Sequence, residues 1–165
     1  ELIQMLEKRE LDFVLAFKPS RIYPDIESDV LFRNCLSIIV NKNHPLAAKS
    51  SVSLSDIMPY NIAMPSKGLQ ARNTFDQIFP GASESLNVRV ELNDANVLLD
   101  LVQGSDLITL LSSTVLQSNE MRAIPFDVPQ NIMEGCVHTL QKSYRKRAAE
   151  EFIKILSESL SIMTR

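Results

Sequence analysis

Apolar positions along this chain of 165 residues fall into short unbroken runs separated by segments of helical spacing. The runs 11–17 (LDFVLAF), 35–40 (CLSIIV), 60–64 (YNIAM), 107–111 (LITLL) and 136–141 (CVHTLQ) are too short for helices. Nearly continuous apolar runs of that length predict strands covered on both faces. Residues 86–92 (LNVRVEL) alternate and predict a strand with one open face. Residues 121–128 are strand-like, with Pro125 keeping them irregular, and Pro19 and Pro24 break the chain between the first two runs. Between the strands, Leu2, Ile3, Met5 and Leu6 form the apolar side of a short helix. Ser53 starts a second one, with Asp56 placed three residues on to close a capping box. Residues 69–79 carry Leu69, Ala71, Phe75, Ile78 and Phe79 at helical spacing. A further helix spans 93–104, capped by Asn93 or Asp94 and ended by Gly104. SSTVLQ starts another, with Ser112 or Ser113 as its cap. The last helix, 144–163, shows a stripe of Tyr144, Ala148, Phe152, Ile155, Leu156 and Leu160. This alternation predicts an α/β chain with largely parallel sheets.

Charge narrows the function classes. The formal net charge is −3, from 17 basic and 20 acidic residues, which argues against a nucleic-acid grip by these residues themselves. No apolar run approaches the roughly 18 residues of a membrane span. Cys35 and Cys136 lie far apart inside apolar strands and predict structural, reduced thiols rather than a disulfide framework. His44 and His138 have no neighbouring ligands at metal spacing, so no metal or cofactor is expected. Phosphate-loop, dinucleotide and nucleophile-elbow signatures are missing, and no acid or base stands out as catalytic. What remains is a set of helix starts that follow strand ends: PSKG at 65–68, ND at 93–94 and SS at 112–113. A helix start offers free N–H groups and a partial positive charge to a carboxylate or phosphate. Open α/β sheets place their ligands at such strand ends.

The order of LEKRELDFVLAF, LSIIVNKNHPLA, VSLSDI, PSKGLQARNTF and VELNDANVLLDLVQGSDLITLLSS resembles the effector-binding domain of LysR-type transcriptional regulators. Leu11, Asp12 and Phe13 fit the family's first matching strand, and His44 to Ala47 its HPLA turn. Gly68 and Arg72 fit a later pair, and Leu101, Val102, Gly104, Ile108 and Leu110 the helix-to-strand link. Asp106 departs from the pattern, standing where the family usually has a second glycine, and Ser112 stands near a frequent proline.

The resemblance implies two Rossmann-like lobes joined by two crossover strands, near 38–42 and 134–139, as in a type 2 periplasmic binding protein. Lobe I would comprise 1–41 and 137–165, and lobe II 42–136. A small, anionic effector would sit between the lobes, at Phe17, Lys18, Pro65, Ser66, Lys67, Gly68, Leu111, Ser112 and Ser113. The implied protein is a cytoplasmic, non-enzymatic regulator, a homodimer or homotetramer. It would meet DNA only through a separate N-terminal winged helix-turn-helix. The alternative on the same architecture is the solute-binding protein of a transport system. In the family a strand, a helix and a second strand precede the first run, so lobe I is expected to be incomplete at its N-terminus. Strand 11–17 would then show an apolar edge, covered by preceding residues or by a second copy.

Overall fold

The computed structural model describes residues 2–19, 21–116, 119–141 and 146–163, the last four as backbone only. The strands are β1 (Val14–Phe17), β2 (Ile26–Asn34), β3 (Leu36–Asn41), β4 (Asn61–Pro65), β5 (Asn87–Leu92), β6 (Ile108–Ser112), β7 (Met121–Pro125) and β8 (Met133–Leu140). The helices are α1 (Leu2–Glu7), α2 (Leu54–Ile57), α3 (Gln70–Ile78), α4 (Ala95–Gln103) and α5 (Arg147–Met163). Two compact units result: Glu1–Arg33 with Glu134–Arg165, and Asn34–Met133. These junctions lie at 33/34 and 133/134 rather than at the expected 41/42 and 136/137. The first shifts because β3 is hydrogen-bonded on one side to β6 and on the other to β7, both inside the second unit, and the second because β8 is paired with β1 of the first unit from Gly135 onward.

Unit 1 holds a three-stranded sheet in the order β1-β8-β2. β1 runs antiparallel to β8, with Val14 opposite His138 and Phe17 opposite Gly135. β1 is an edge strand, and because Leu15 is 44% exposed it is not covered on both faces as its apolar run suggests. His138 is fully buried between strands. Its Nε2 lies 3.2 Å from the Ala16 carbonyl oxygen and its Nδ1 2.8 Å from Ser28 Oγ. A carbonyl only accepts, so Nε2 carries the proton and Nδ1 accepts from the serine. Burial holds this histidine's pKa below its ordinary value, although bonds to the Ala16 and Phe17 backbone oppose the shift.

Unit 2 holds a five-stranded sheet in the order β5-β4-β6-β3-β7. β4 is parallel to β5 and β6, whereas β3 is antiparallel to β6 and β7. The unit 2 sheet is therefore mixed, and with β1 antiparallel to β8 in unit 1 the sheets are not largely parallel. Ile38, Ile62, Met64, Leu98, Ile108 and Leu110 are fully buried. Phe75, Phe79 and Phe126 form a cluster with ring centroids 5.1–6.0 Å apart. Asn131 ties the start of β3 to the chain after β7. Its Nδ2 donates to the carbonyls of Leu36 (2.8 Å) and Phe126 (3.2 Å), and its Oδ1 accepts from Leu36 N (2.7 Å).

Local expectations fare unevenly. α3 and α4 occupy the expected segments, and Asp94 rather than Asn93 caps α4 by accepting from Asn96 and Val97. The capping box holds: Asp56 accepts from the Ser53 amide (2.8 Å) and hydroxyl (2.9 Å). The expected helix after Ser112 is a single 3-10 turn, Ser113–Val115. β2 had no counterpart among the expected elements. In α5 the buried position is Ala149, with Ile153 and Leu156 half-buried and Ala148 exposed, so the apolar stripe is turned by about one residue. Tyr144 lies outside the described residues, as does the side chain of Leu160.

Candidate functional site

Parallel strands bring their carboxyl ends to one edge of a sheet. In unit 2 this edge gathers the chain after β4 and after β6, which are hydrogen-bonded neighbours. The amino end of β3 comes to the same place, because Leu36 lies opposite Ser112 in an antiparallel pair. Pro65, Ser66, Lys67 and Gly68 therefore share an edge with Leu111, Ser112 and Ser113. Phe17 and Lys18 belong to unit 1.

The loop after β4 is built for close approach. The Ser66 amide donates to the Leu92 carbonyl (2.8 Å), and the Leu69 amide donates to the Ser66 carbonyl (3.2 Å). Gly68 turns the chain at φ +100°, where a side chain is disfavoured. α3 then starts at Gln70, and its N-cap, Leu69, supplies no side-chain acceptor. The first-turn amides of Gln70, Ala71 and Arg72 have no partner within the helix. Lys67 is exposed beside this helix start. Arg72, also in the first turn, is buried and committed elsewhere. It bonds the Asp76 carboxylate (2.9 Å), the Glu91 carboxylate (3.3 Å) and the Pro65 carbonyl (3.3 Å). Its charge is thereby balanced, and it fixes α3 against the end of β4.

The serine pair is organised by a residue that sequence reasoning passed over. Asn34 Nδ2 donates to Ser112 Oγ and to Thr114 Oγ1 (2.8 Å). Asn34 Oδ1 accepts from the Ser113 hydroxyl and from the Cys35 amide (2.9 Å). Ser112 is buried, and its Oγ lies 3.1 Å from Thr114 Oγ1. Cys35 Sγ lies 3.8 Å from Ser113 Oγ, and both cysteines are free thiols. In unit 1, Phe17 packs edge-on against Phe32 with centroids 6.0 Å apart. Lys18 Nζ is paired with Glu134 (3.0 Å), which also takes Arg33 (2.9 Å). The bond from Lys18, then that from Arg33, holds the Glu134 carboxyl below its usual range. The positive charge of Lys18 is thus already engaged.

Among the described residues there is no group of three or more potential metal ligands, and no helix is long and apolar enough to cross a membrane.

Residues 1–161 match the family model of the LysR substrate-binding domain. The chain belongs to that family. Its similar relatives include the malolactic fermentation system transcriptional activator of Lactococcus lactis, 26% identical over 160 residues, covering 94% of this chain and 55% of that protein. The transcriptional dual regulator GltC of Bacillus subtilis is 26% identical over 132 residues, covering 78% of this chain and 44% of that protein. The chain thus spans about half the length of these relatives. Among solved structures, the CcmR regulatory domain of Synechocystis PCC6803 in complex with 2-PG matches with a TM-score of 0.81 at 20% identity, covering 96% of this chain and 78% of that one. The effector-binding domain of QuiR in complex with shikimate matches with a TM-score of 0.75 at 20% identity, covering 97% and 77%. These likenesses establish the fold, that of an effector-binding domain of the type 2 periplasmic binding protein kind.

Proposed function

We propose that this chain is the ligand-sensing part of a transcriptional regulator, and that its effector is a small organic anion bound at the β4–β6 edge of unit 2. The observation that carries this reading is the uncapped start of α3 beside Ser66, Lys67 and Gly68, on the same edge as the Asn34-held serine pair. Free first-turn amides and a helix dipole stabilise a negative charge. The serine and threonine hydroxyls supply directional contacts to the rest of a small ligand. The two solved structures named above are complexes with 2-PG and with shikimate, which supports a small-molecule effector here.

The reading is binding without turnover. Ser112 and Ser113 are bonded to an amide, Asn34, which cannot take up a proton and so does not activate a hydroxyl for attack. DNA contact is assigned to a separate winged helix-turn-helix segment, the working assembly to a homodimer or homotetramer, and the site of action to the cytoplasm. Phe17 and Lys18 enter as unit 1 positions tested by the same experiment.

Thermal denaturation of residues 1–165 with a panel of small carboxylates and phosphate esters, shikimate included, provides the test. A ligand at about 100 times its Kd stabilises by about 2.7 kcal/mol. The expected result is a raised midpoint with at least one anion, reduced in K67A and S112A. A panel without effect, or a shift that survives K67A, S112A and K18A unchanged, contradicts the proposal.

A further inference from the structure

The opposite end of the unit 2 sheet holds a groove of about 660 Å³ that the proposed effector does not use. It lies at the amino ends of β4 and β6 and the carboxyl end of β3, lined by Asn41, His44, Tyr60, Asn61, Ser105 and Asp106 among others. A five-residue strand separates it from Ser66 and Ser112 by about 17 Å.

Its walls are fixed by bonds that do not involve a ligand. Asn41 Nδ2 donates to the Gln103 carbonyl (3.2 Å), and Asn41 Oδ1 accepts from the Asn43 amide (3.0 Å). The His44 ring lies 4.5 Å from the Tyr60 ring, centroid to centroid. His44 is only 9% exposed, and its Nδ1 accepts from the Leu46 amide (3.1 Å). That bond fixes the tautomer: the proton is on Nε2. Among the described residues Nε2–H has no hydrogen-bond acceptor, and Asp106 has no hydrogen bond or ion pair. The Asp106 carboxylate nevertheless acts electrostatically on His44. One wall therefore offers a solvent-accessible N–H donor, and another an exposed carboxylate acceptor.

Charge selects the ligand. Asp106 is the only residue among the groove's lining with a formal charge at neutral pH. The nearby Lys42 does not line the groove and is paired with Glu120 (2.6 Å). An anion would lie beside an uncompensated carboxylate. An ammonium would satisfy Asp106 but has no lone pair for Nε2–H. A hydroxyl both accepts and donates, so it can bridge the two. Nearby amide side chains and the Tyr60 face suit further hydroxyls and a carbon skeleton. We infer that this groove is a second small-molecule site, separate from the effector edge, for an uncharged polyhydroxylated compound held between His44 Nε2–H and the Asp106 carboxylate.

Only two histidines exist in the chain, which makes the imidazole signals readable one by one. Side-chain ¹⁵N spectra of residues 1–165 titrated with xylitol are expected to show a saturable shift at His44 while the buried His138 stays still. D106A, a surface change, is expected to weaken the xylitol response about tenfold, the loss for one hydrogen bond to a charged group. Inorganic phosphate is expected to leave His44 unmoved. A linear, unsaturable response, equal movement of His44 and His138, or an undiminished response in D106A each overturns the inference.

Discussion

Asn34 carries more of the candidate site than any serine in it, because one amide group fixes the hydroxyls of Ser112, Ser113 and Thr114. Replacing it with alanine removes one bond from each of three hydroxyls and from the Cys35 amide. N34A is expected to lower stability by about 1–3 kcal/mol, read from urea denaturation, and to weaken anion binding as well. Ser66, Lys67, Gly68, Ser112 and Ser113 were legible as candidates because cap chemistry is local. Asn34 was not, since its partners lie 78 to 80 residues away and pairing of β3 with β6 is what joins them. Lys18 was legible as a cation but not as one already paired with Glu134. The histidines make a prediction about pH. Burial lowers the pKa of both His44 and His138, whereas in the unfolded chain both titrate near 6.5. Below that value the unfolded state binds more protons, so stability falls as the pH is lowered. Asp56, held at about 2 chiefly by its bond to Lys49, and Glu134, also depressed, act the same way only below the ordinary carboxylate range. The urea midpoint is therefore expected to drop between pH 7 and pH 5.5. An unchanged or higher midpoint at pH 5.5 contradicts the account of the two histidines.

At the scale of the element, β8 shows how a strand depends on one missing side chain. A Cβ on Gly135 would lie 2.2 Å from the tip of the Phe32 ring. G135A is thus expected to push Phe32 out of its packing with Phe17, at a cost of about 1–3 kcal/mol. In an F32A background the same substitution is expected to cost little. Equal costs in both backgrounds, measured as a double-mutant cycle, would show that Phe32 is not the obstacle. The alternation of short apolar runs with helical segments located seven of the eight strands and α1 to α5. β2 escaped because IESDVLFRN mixes charged and apolar residues, half of it exposed, and follows two prolines. The stripe of α5 was misplaced by about a residue because apolar side chains occupy more than one face there. Periodicity alone does not choose between Ala148 and Ala149.

At the scale of the whole molecule, the α/β class was legible from element order, the family resemblance from motif order, and the expectation of two lobes came only through that resemblance. The sheet pairings were not legible. Whether β3 joins the first or the second sheet is decided by contacts between distant segments and places one junction at 33/34, while the pairing of β8 with β1 places the other at 133/134. Net charge makes its own prediction here. With three more acidic than basic residues, this chain alone is expected to give no sequence-specific shift of DNA in a gel assay at physiological salt. Retardation of a defined site by residues 1–165 contradicts the assignment of DNA contact to another segment. The central claim is that a small anion binds at the β4–β6 edge of unit 2, and backbone-amide NMR mapping tests it most directly. On titration with the best anion from the thermal panel, the amides of Ser66 to Arg72 and of Ser112 to Thr114 are expected to move together and saturate at one Kd. Saturable binding that leaves both segments unmoved contradicts the account.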